Sequence, residues 1–194
     1  NTILGDDGTA VFSTKGELQS ATSEDQTNSG DDTITLNGGE NTVIAGAGTD
    51  TIEIAHGYNR VIGDQASWTV AAETLTLTSA SGYTDDNDIV TINNGINLVI
   101  AGSGADIITV NEGTNTLLGD DGTAVFSPDG ELQSATSDER PNSGDDTITL
   151  NGGESTVIAG AGADTVEIAD GHNRVIGDQA TWHLATETLT LTSA

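Results

Sequence analysis

GDDTITLNGGENTVIAGAGTDTIEIAHGYNRVI, residues 30–62, carries the pattern from which the fold is read. Its glycines Gly30, Gly39, Gly48 and Gly57 stand nine residues apart. Each is followed two positions later by Asp32, Asn41, Asp50 or Asn59, and two positions after that by Ile34, Val43, Ile52 or Val61. A helix cannot carry this pattern, because glycine recurs too often and the apolar pairs Ile34 and Leu36, Val43 and Ala45, and Ile52 and Ile54 alternate with period two. Those pairs point to one side of short strands. Aspartate and asparagine alternate at the turns, so the unit is a coil of about 18 residues with one Asp-type edge and one Asn-type edge. Two strands per coil, joined at glycine turns and stacked at about 4.8 Å, make an all-β parallel roll, or β-solenoid.

The pattern returns twice further along the chain. Asp88, Asn97, Asp106 and Asn115 precede Val90, Val99, Ile108 and Leu117, and Asp146, Ser155, Asp164 and Asn173 precede Ile148, Val157, Val166 and Val175. The solenoid blocks are therefore 30–63, 86–119 and 144–177. A longer repeat encloses them: residues 1–80 recur at 115–194 with roughly four-fifths identity, an offset of 114 positions. The chain reads as one continuous segment, 1–194, holding one full unit (1–114) and a partial second (115–194). Between the blocks lie insertions at 6–29, 64–85, 120–143 and 178–194, each entering after an Asn-type strand. DDGTAVFSPDGELQSATS at 120–137 has the turn signal Ser127-Pro128-Asp129-Gly130 of a β-hairpin, and TLTLTSA at 74–80 and 188–194 alternates Leu with Thr as a β-ribbon does. Trp68 and Trp182 are expected to pack these hairpins. With no Met and no leader before Asn1, the chain is expected to be an excerpt of a longer array.

Composition narrows the partners. Thirty-one Asp and Glu face four Lys and Arg, a formal net charge of -27, which calls for cations and repels nucleic acid and anionic membrane surfaces. No apolar run approaches the roughly 18 residues of a membrane span. Cysteine is absent, so a bound metal is expected to be a hard cation held by oxygen. Aromatics are 3% of residues, which implies a thin, aliphatic core.

AGAGTDTIE at 45–53, AGSGADIIT at 101–109 and AGAGADTVE at 159–167 resemble the Gly-Gly-x-Gly-x-Asp-x-apolar-x nonapeptide of the RTX family, with Ala in place of the first glycine. The resemblance covers about three-fifths of the chain. It implies a right-handed parallel β-roll in which turn aspartates and backbone carbonyls hold calcium between neighbouring coils. Asp32, Asp50, Asp88, Asp106, Asp146 and Asp164 are then the carboxylate ligands, with Gly30, Gly48, Gly104, Gly144 and Gly162 beside them. Calcium takes six to eight oxygens, and tight glycine turns direct carbonyls toward one point. Carboxylates stacked one strand spacing apart would repel by roughly 3 kcal/mol per pair at an effective dielectric near 20, a cost that a bound cation removes. A solvated acidic face would not need Asp at a fixed offset from Gly. Asp31, Asp86 and Asp145, with the corner residues Asp6, Asp7, Asp64, Asp120, Asp121 and Asp178, are expected to extend the same rows.

On the other edge, Asn41, Asn59, Asn97, Asn115 and Asn173 replace the acidic ligand, and a ladder of amide hydrogen bonds is the expected arrangement. His56 becomes Asp170 in the second copy, so a repeated histidine site is not expected. No Ser-His-Asp set, HExxH pair or P-loop occurs, and no enzyme activity is expected. The reading is a calcium-stabilised, secreted structural segment of a stalk, sheath or matrix filament at the cell surface. The alternatives are a glycan- or ice-binding module, or the accessory roll of a polysaccharide-modifying enzyme. A product assay on uronate polymers separates the last from the others. One feature does not fit a solitary roll: Ile44, Ile62, Ile100, Leu118, Ile158 and Ile176 form an outward aliphatic stripe on the Asn-type strands. Either the inserted hairpins or a neighbouring copy of the chain in a lateral bundle is expected to cover it; copies of the chain, in lateral or end-to-end filament assembly, are the partners considered besides calcium.

Overall fold

In the computed structural model the described residues are 1–15, 18–23, 30–71, 74–79, 86–127, 129–138, 143–178, 180–185 and 188–193, and side chains are described except at 71 and 181–193. The described residues form strands and turns. The chain begins with β1 (Thr2–Leu4), a hairpin β2 (Gly8–Phe12) and β3 (Leu18–Ser23), then β4 (Thr33–Leu36), β5 (Glu40–Ile44), β6 (Thr51–Ile54) and β7 (Tyr58–Ile62). A second hairpin, β8 (Ala66–Ala71) and β9 (Thr74–Ser79), leads into β10 (Ile89–Ile92), β11 (Ile96–Ile100), β12 (Ile107–Val110) and β13 (Thr114–Leu118). A third, β14 (Gly122–Phe126) and β15 (Leu132–Ser137), leads into β16 (Thr147–Leu150), β17 (Glu154–Ile158), β18 (Thr165–Ile168) and β19 (His172–Ile176), and the chain closes on β20 (Ala180–Ala185) and β21 (Thr188–Ser193).

Three sheets result. The Asp-type strands β4, β6, β10, β12, β16 and β18 form a parallel sheet, and β1 with the Asn-type strands β5, β7, β11, β13, β17 and β19 forms a second parallel sheet. The register is that of the sequence repeat: Ile34 lies opposite Ile52, and Asn41 opposite Asn59. Between these two sheets lies the aliphatic core, including Ile52, Ile54, Val61, Val90, Val99, Ile108 and Leu117. Strand alternation turns the other half of each Asp-type strand outward, where Thr33, Thr51 and Thr147 are exposed, along with Ile89 and Ile107.

The hairpins build the third sheet. They join edge to edge as one antiparallel sheet, β2-β3-β8-β9-β14-β15-β20-β21, laid over the outer face of the middle sheet. It covers the aliphatic stripe: Ile44, Ile62, Ile100, Leu118 and Ile158 are buried together with Ala21, Trp68, Leu77, Ala124, Phe126 and Ala135. The chain's own insertions, rather than a neighbouring copy, therefore cover that face. Each buried Ile contributes roughly 1.5–3 kcal/mol relative to exposure. Serines fasten consecutive hairpins: the hydroxyl of Ser23 accepts from the Ala66 amide (2.8 Å), Ser79 from Gly122 (2.7 Å) and Ser137 from Ala180 (3.0 Å). At Gly122 the hairpin lies so close that a Cβ would strike the Thr136 carbonyl oxygen and, 2.5 Å away, the Leu118 side chain. Trp68 packs in this layer, as its place in the ribbon implies; the side chain of Trp182 lies outside the described residues. Among the described residues no helix is long and apolar enough to cross a membrane.

Candidate metal edge

The turns that lead from the middle sheet to the Asp-type strands set the site. Gly102 and Gly104, at φ +122° and +108°, take a conformation that L side chains rarely adopt. A Cβ on Gly104 would also collide with the Asp86 carbonyl oxygen of the preceding coil, and one on Gly48 would come within 2.8 Å of the Gly30 carbonyl oxygen. Gly144 and Gly162 are crowded likewise by the carbonyls of Gly104 and Gly144. The turn is thus tight enough to bring backbone oxygens of one coil against the next.

Aspartates line it in three rows. In the first, one carboxylate oxygen of each residue accepts the backbone amide of the previous one: Asp32 donates to Asp50 (2.7 Å), Asp50 to Asp88 (2.8 Å), Asp88 to Asp106 (2.7 Å), Asp106 to Asp146 (2.9 Å) and Asp146 to Asp164 (3.0 Å). The second oxygen, Oδ2, of Asp50, Asp88, Asp106, Asp146 and Asp164 is buried and has no hydrogen-bond partner among the described residues. In the second row, Asp31 accepts from the Thr49 amide (2.9 Å) and Asp145 from Ala163 (2.8 Å). Here the structure differs from the sequence reading. The residue in register with them is Asn87, which accepts from Ala105 (2.7 Å), while Asp86 stands where Gly30 and Gly144 stand. The third row roots the hairpins: Asp6 accepts from Ala47 (2.6 Å), Asp64 from the Ser103 amide and hydroxyl (2.6 Å each), and Asp120 from Ala161. Asp64 Oδ1 is again buried and has no hydrogen-bond partner among the described residues. Asp178 is exposed.

Burial is the main force on these carboxyls. It pushes Asp50 and Asp120 up to about 7, Asp64 and Asp146 to about 8, Asp88 to about 9 and Asp106 to about 10, against the hydrogen bonds that each accepts and with neighbouring carboxylates adding to the rise. Asp164 is raised from the same cause. An edge of this kind holds either protons or a cation at neutral pH.

The model of the RTX calcium-binding nonapeptide repeat (4 copies) matches residues 26–52, 91–125 and 141–178, more than half of the chain. The chain belongs to the RTX calcium-binding nonapeptide repeat family. Among curated proteins and among solved structures no match was found. RTX nonapeptides bind Ca2+ as structural repeats, and the donors of this chain fit that ion. All are oxygens, and the buried Oδ2 atoms lack any other partner. At Gly5, Gly63 and Gly119 a Cβ would run into Oδ2 of Asp32, Asp88 or Asp146 and into the carbonyl oxygen of Ala45, Ala101 or Ala159. Carboxylate and carbonyl thus converge on a cradle kept open by glycine. Among the described residues no three His, Cys, Asp or Glu side chains gather as a metal group, so a cation here would draw part of its shell from the backbone.

On the Asn edge the side-chain amides of the described residues bond to one another instead. The amide of Asn1 donates to Asn41, Asn41 to Asn59, Asn59 to Asn97 and Asn97 to Asn115, all at 2.7–2.8 Å. Asn115 reaches Ser155 only at 3.5 Å, and Asn173 Oδ1 beyond it is buried and unpartnered. A second, outer ladder, Asn151 to Asn111 to Asn93 at 2.9 Å, was not read from the sequence. Its signal is there, since Asn93, Asn111 and Asn151 all directly follow the last residue of an Asp-type strand.

Proposed function

We propose that this chain is a spacer segment of a longer extracellular protein, of the stalk, sheath or matrix-filament kind, that becomes a stiff rod when calcium binds. Calcium occupies the Asp edge, held by Asp32, Asp50, Asp88, Asp106, Asp146 and Asp164 with carbonyl oxygens of the glycine turns. Asp31, Asp145, Asp6, Asp64 and Asp120 add charge beside them. The coils are right-handed, the hand that parallel β crossovers take almost without exception, and contain about 18 residues. The 114-residue unit repeats the same rod and the same covering hairpins.

The observation that carries this reading is the row of buried Oδ2 atoms with no partner. A buried carboxylate without compensation is strongly unfavourable, and the chain repeats the arrangement in coil after coil. RTX repeat proteins are typically secreted, and millimolar calcium outside cells suits weak sites that fill only after export. In chelator at neutral pH the chain is expected to lose most of its strand signal in circular dichroism, and added calcium is expected to restore it cooperatively. An apo chain as fully folded as the calcium-loaded one would refute the proposal.

A further inference from the structure

The calcium edge leaves unexplained the other end of the seam between the middle sheet and the hairpin sheet. There Arg60 lies buried, its side chain 6% exposed, with its guanidinium 4.7 Å from the centre of the Tyr58 ring and 4.9 Å from that of Phe126. Nη1 pairs with the exposed Glu40 at 3.1 Å, but Nε is buried and has no acceptor among the described residues. Trp68 is 8% exposed, and its indole Nε1 is also buried, with no acceptor among the described residues. Both side chains line one cleft of about 640 Å³, with Phe12, Leu75 and Thr42. A second cleft of about 500 Å³, walled by Tyr58, Ile96, Leu98, Phe126 and Leu132, adjoins Arg60, and a third of about 360 Å³ joins Arg60 to Asp129 and Glu131. Arg60 is common to all three.

We propose that this partitioned cleft binds a short neutral oligosaccharide. Buried indole and guanidinium N–H groups ordinarily find partners, so two orphan donors on one cleft call for a ligand bearing acceptor oxygens. The acidic rim of Glu40, Asp129 and Glu131 calls at the same time for hydroxyl donors and disfavours an anion. A cation would find the rim but could not satisfy Arg60 or Trp68. Sugar hydroxyls both donate and accept, and the apolar faces of a pyranose suit the rings of Tyr58, Phe126 and Phe12. The clefts are of the size that small ligands occupy. The Trp68 ring packs the layer, as described above; its N–H is what remains for a ligand.

The test uses the calcium-loaded chain and trisaccharide probes of three charge classes: the neutral maltotriose, cellotriose and mannotriose, the anionic trigalacturonate, and the cationic chitosan trimer. At least one neutral probe is expected to shift the Trp68 indole N–H resonance saturably and to bind measurably in calorimetry. Trp68→Phe, which keeps an aromatic ring but removes the donor, is expected to weaken that binding ~10-fold, the worth of about one hydrogen bond. Circular dichroism in calcium checks that the variant is folded. The proposal is overturned if no neutral probe shifts the resonance at tens of millimolar, if a charged probe binds more tightly than every neutral one, or if a folded Trp68→Phe chain binds as well as the parent.

Discussion

At Asp88 one carboxylate oxygen accepts the Asp50 amide while the other is shut away from water with no partner. Burial raises its pKa to about 9, and that of Asp106 to about 10, whereas the unfolded chain titrates near 3.8. The sign follows from linkage. A group whose folded pKa is raised favours the fold fully below the unfolded value, and this stability is lost as pH rises through the folded one. Without calcium, then, the fold is expected to be best held near pH 4 and to weaken steadily as pH climbs through 7 to 10. With calcium present the carboxylates are ionised by the metal and the dependence flattens. Strand signal followed in chelator from pH 4 to pH 9 checks this, and a pH-stat is expected to record proton release when calcium is added at neutral pH. An apo signal independent of pH would mean that the carboxyls are hydrated. The positions of these aspartates are legible in the sequence because Asp sits at a fixed offset from Gly. Asn87 is not, because in Asp86-Asn87-Asp88 the glycine that anchors the count is itself replaced by Asp86, an acid one residue too early for the row.

The elements on the Asn edge are linked by a ladder of side-chain amides. Asn59 accepts from Asn41 and donates to Asn97, in the middle of a buried ladder. Asn59→Ala removes both bonds and leaves Asn97 Oδ1 without a donor, which is expected to cost roughly 2–4 kcal/mol in urea unfolding with the number of bound calcium ions unchanged. The converse change is available at the ladder's break. Ser155 stands where the first copy has Asn41, so Ser155→Asn fits the local backbone and is expected to link Asn115 with Asn173 and to stabilise the fold by about 1 kcal/mol. Ion loss from Asn59→Ala would show that this edge coordinates metal. The strands and both edges could be read from period and residue type, since each inward side chain is fixed by alternation. The hairpin sheet could be read only in part. The stripe of Ile44, Ile62 and Ile100 announces that a cover exists, but the cover joins hairpins whose contacting residues, such as Ser23 and Ala66, lie 43 positions apart. No local pattern states that pairing.

At the scale of the molecule, the middle sheet is buried on both faces. Val61 faces the roll interior and Ile62, its neighbour in β7, faces the hairpin sheet, and both are fully buried. The two cores therefore share one backbone layer, which explains how a chain with 3% aromatic residues obtains enough buried surface: it uses two thin aliphatic cores instead of one thick one. The same sharing means that the hairpin sheet cannot leave without stripping water protection from the middle strands and their ladder. In calcium the chain is expected to melt in one transition, with the fluorescence of Trp68 and Trp182, both on hairpin strands, coincident with far-ultraviolet circular dichroism, reporting the roll. Ile62→Lys tests the coupling. An ammonium there lies between two sheets with strands on either side, too central to reach water with its stem extended, and a buried unpaired charge costs several kcal/mol. At about 2–4 °C per kcal/mol for a domain of this size, the melting point is expected to fall by roughly 10 °C on both probes together. Ile89→Lys is the control, since Ile89 is 40% exposed on the outer face of the Asp-type sheet, and it is expected to leave the transition within a degree or two. If Ile62→Lys separates the two probes, the hairpin sheet is an independent cover and the roll is stable alone; if it changes neither, the stripe contributes little to the stability of the fold.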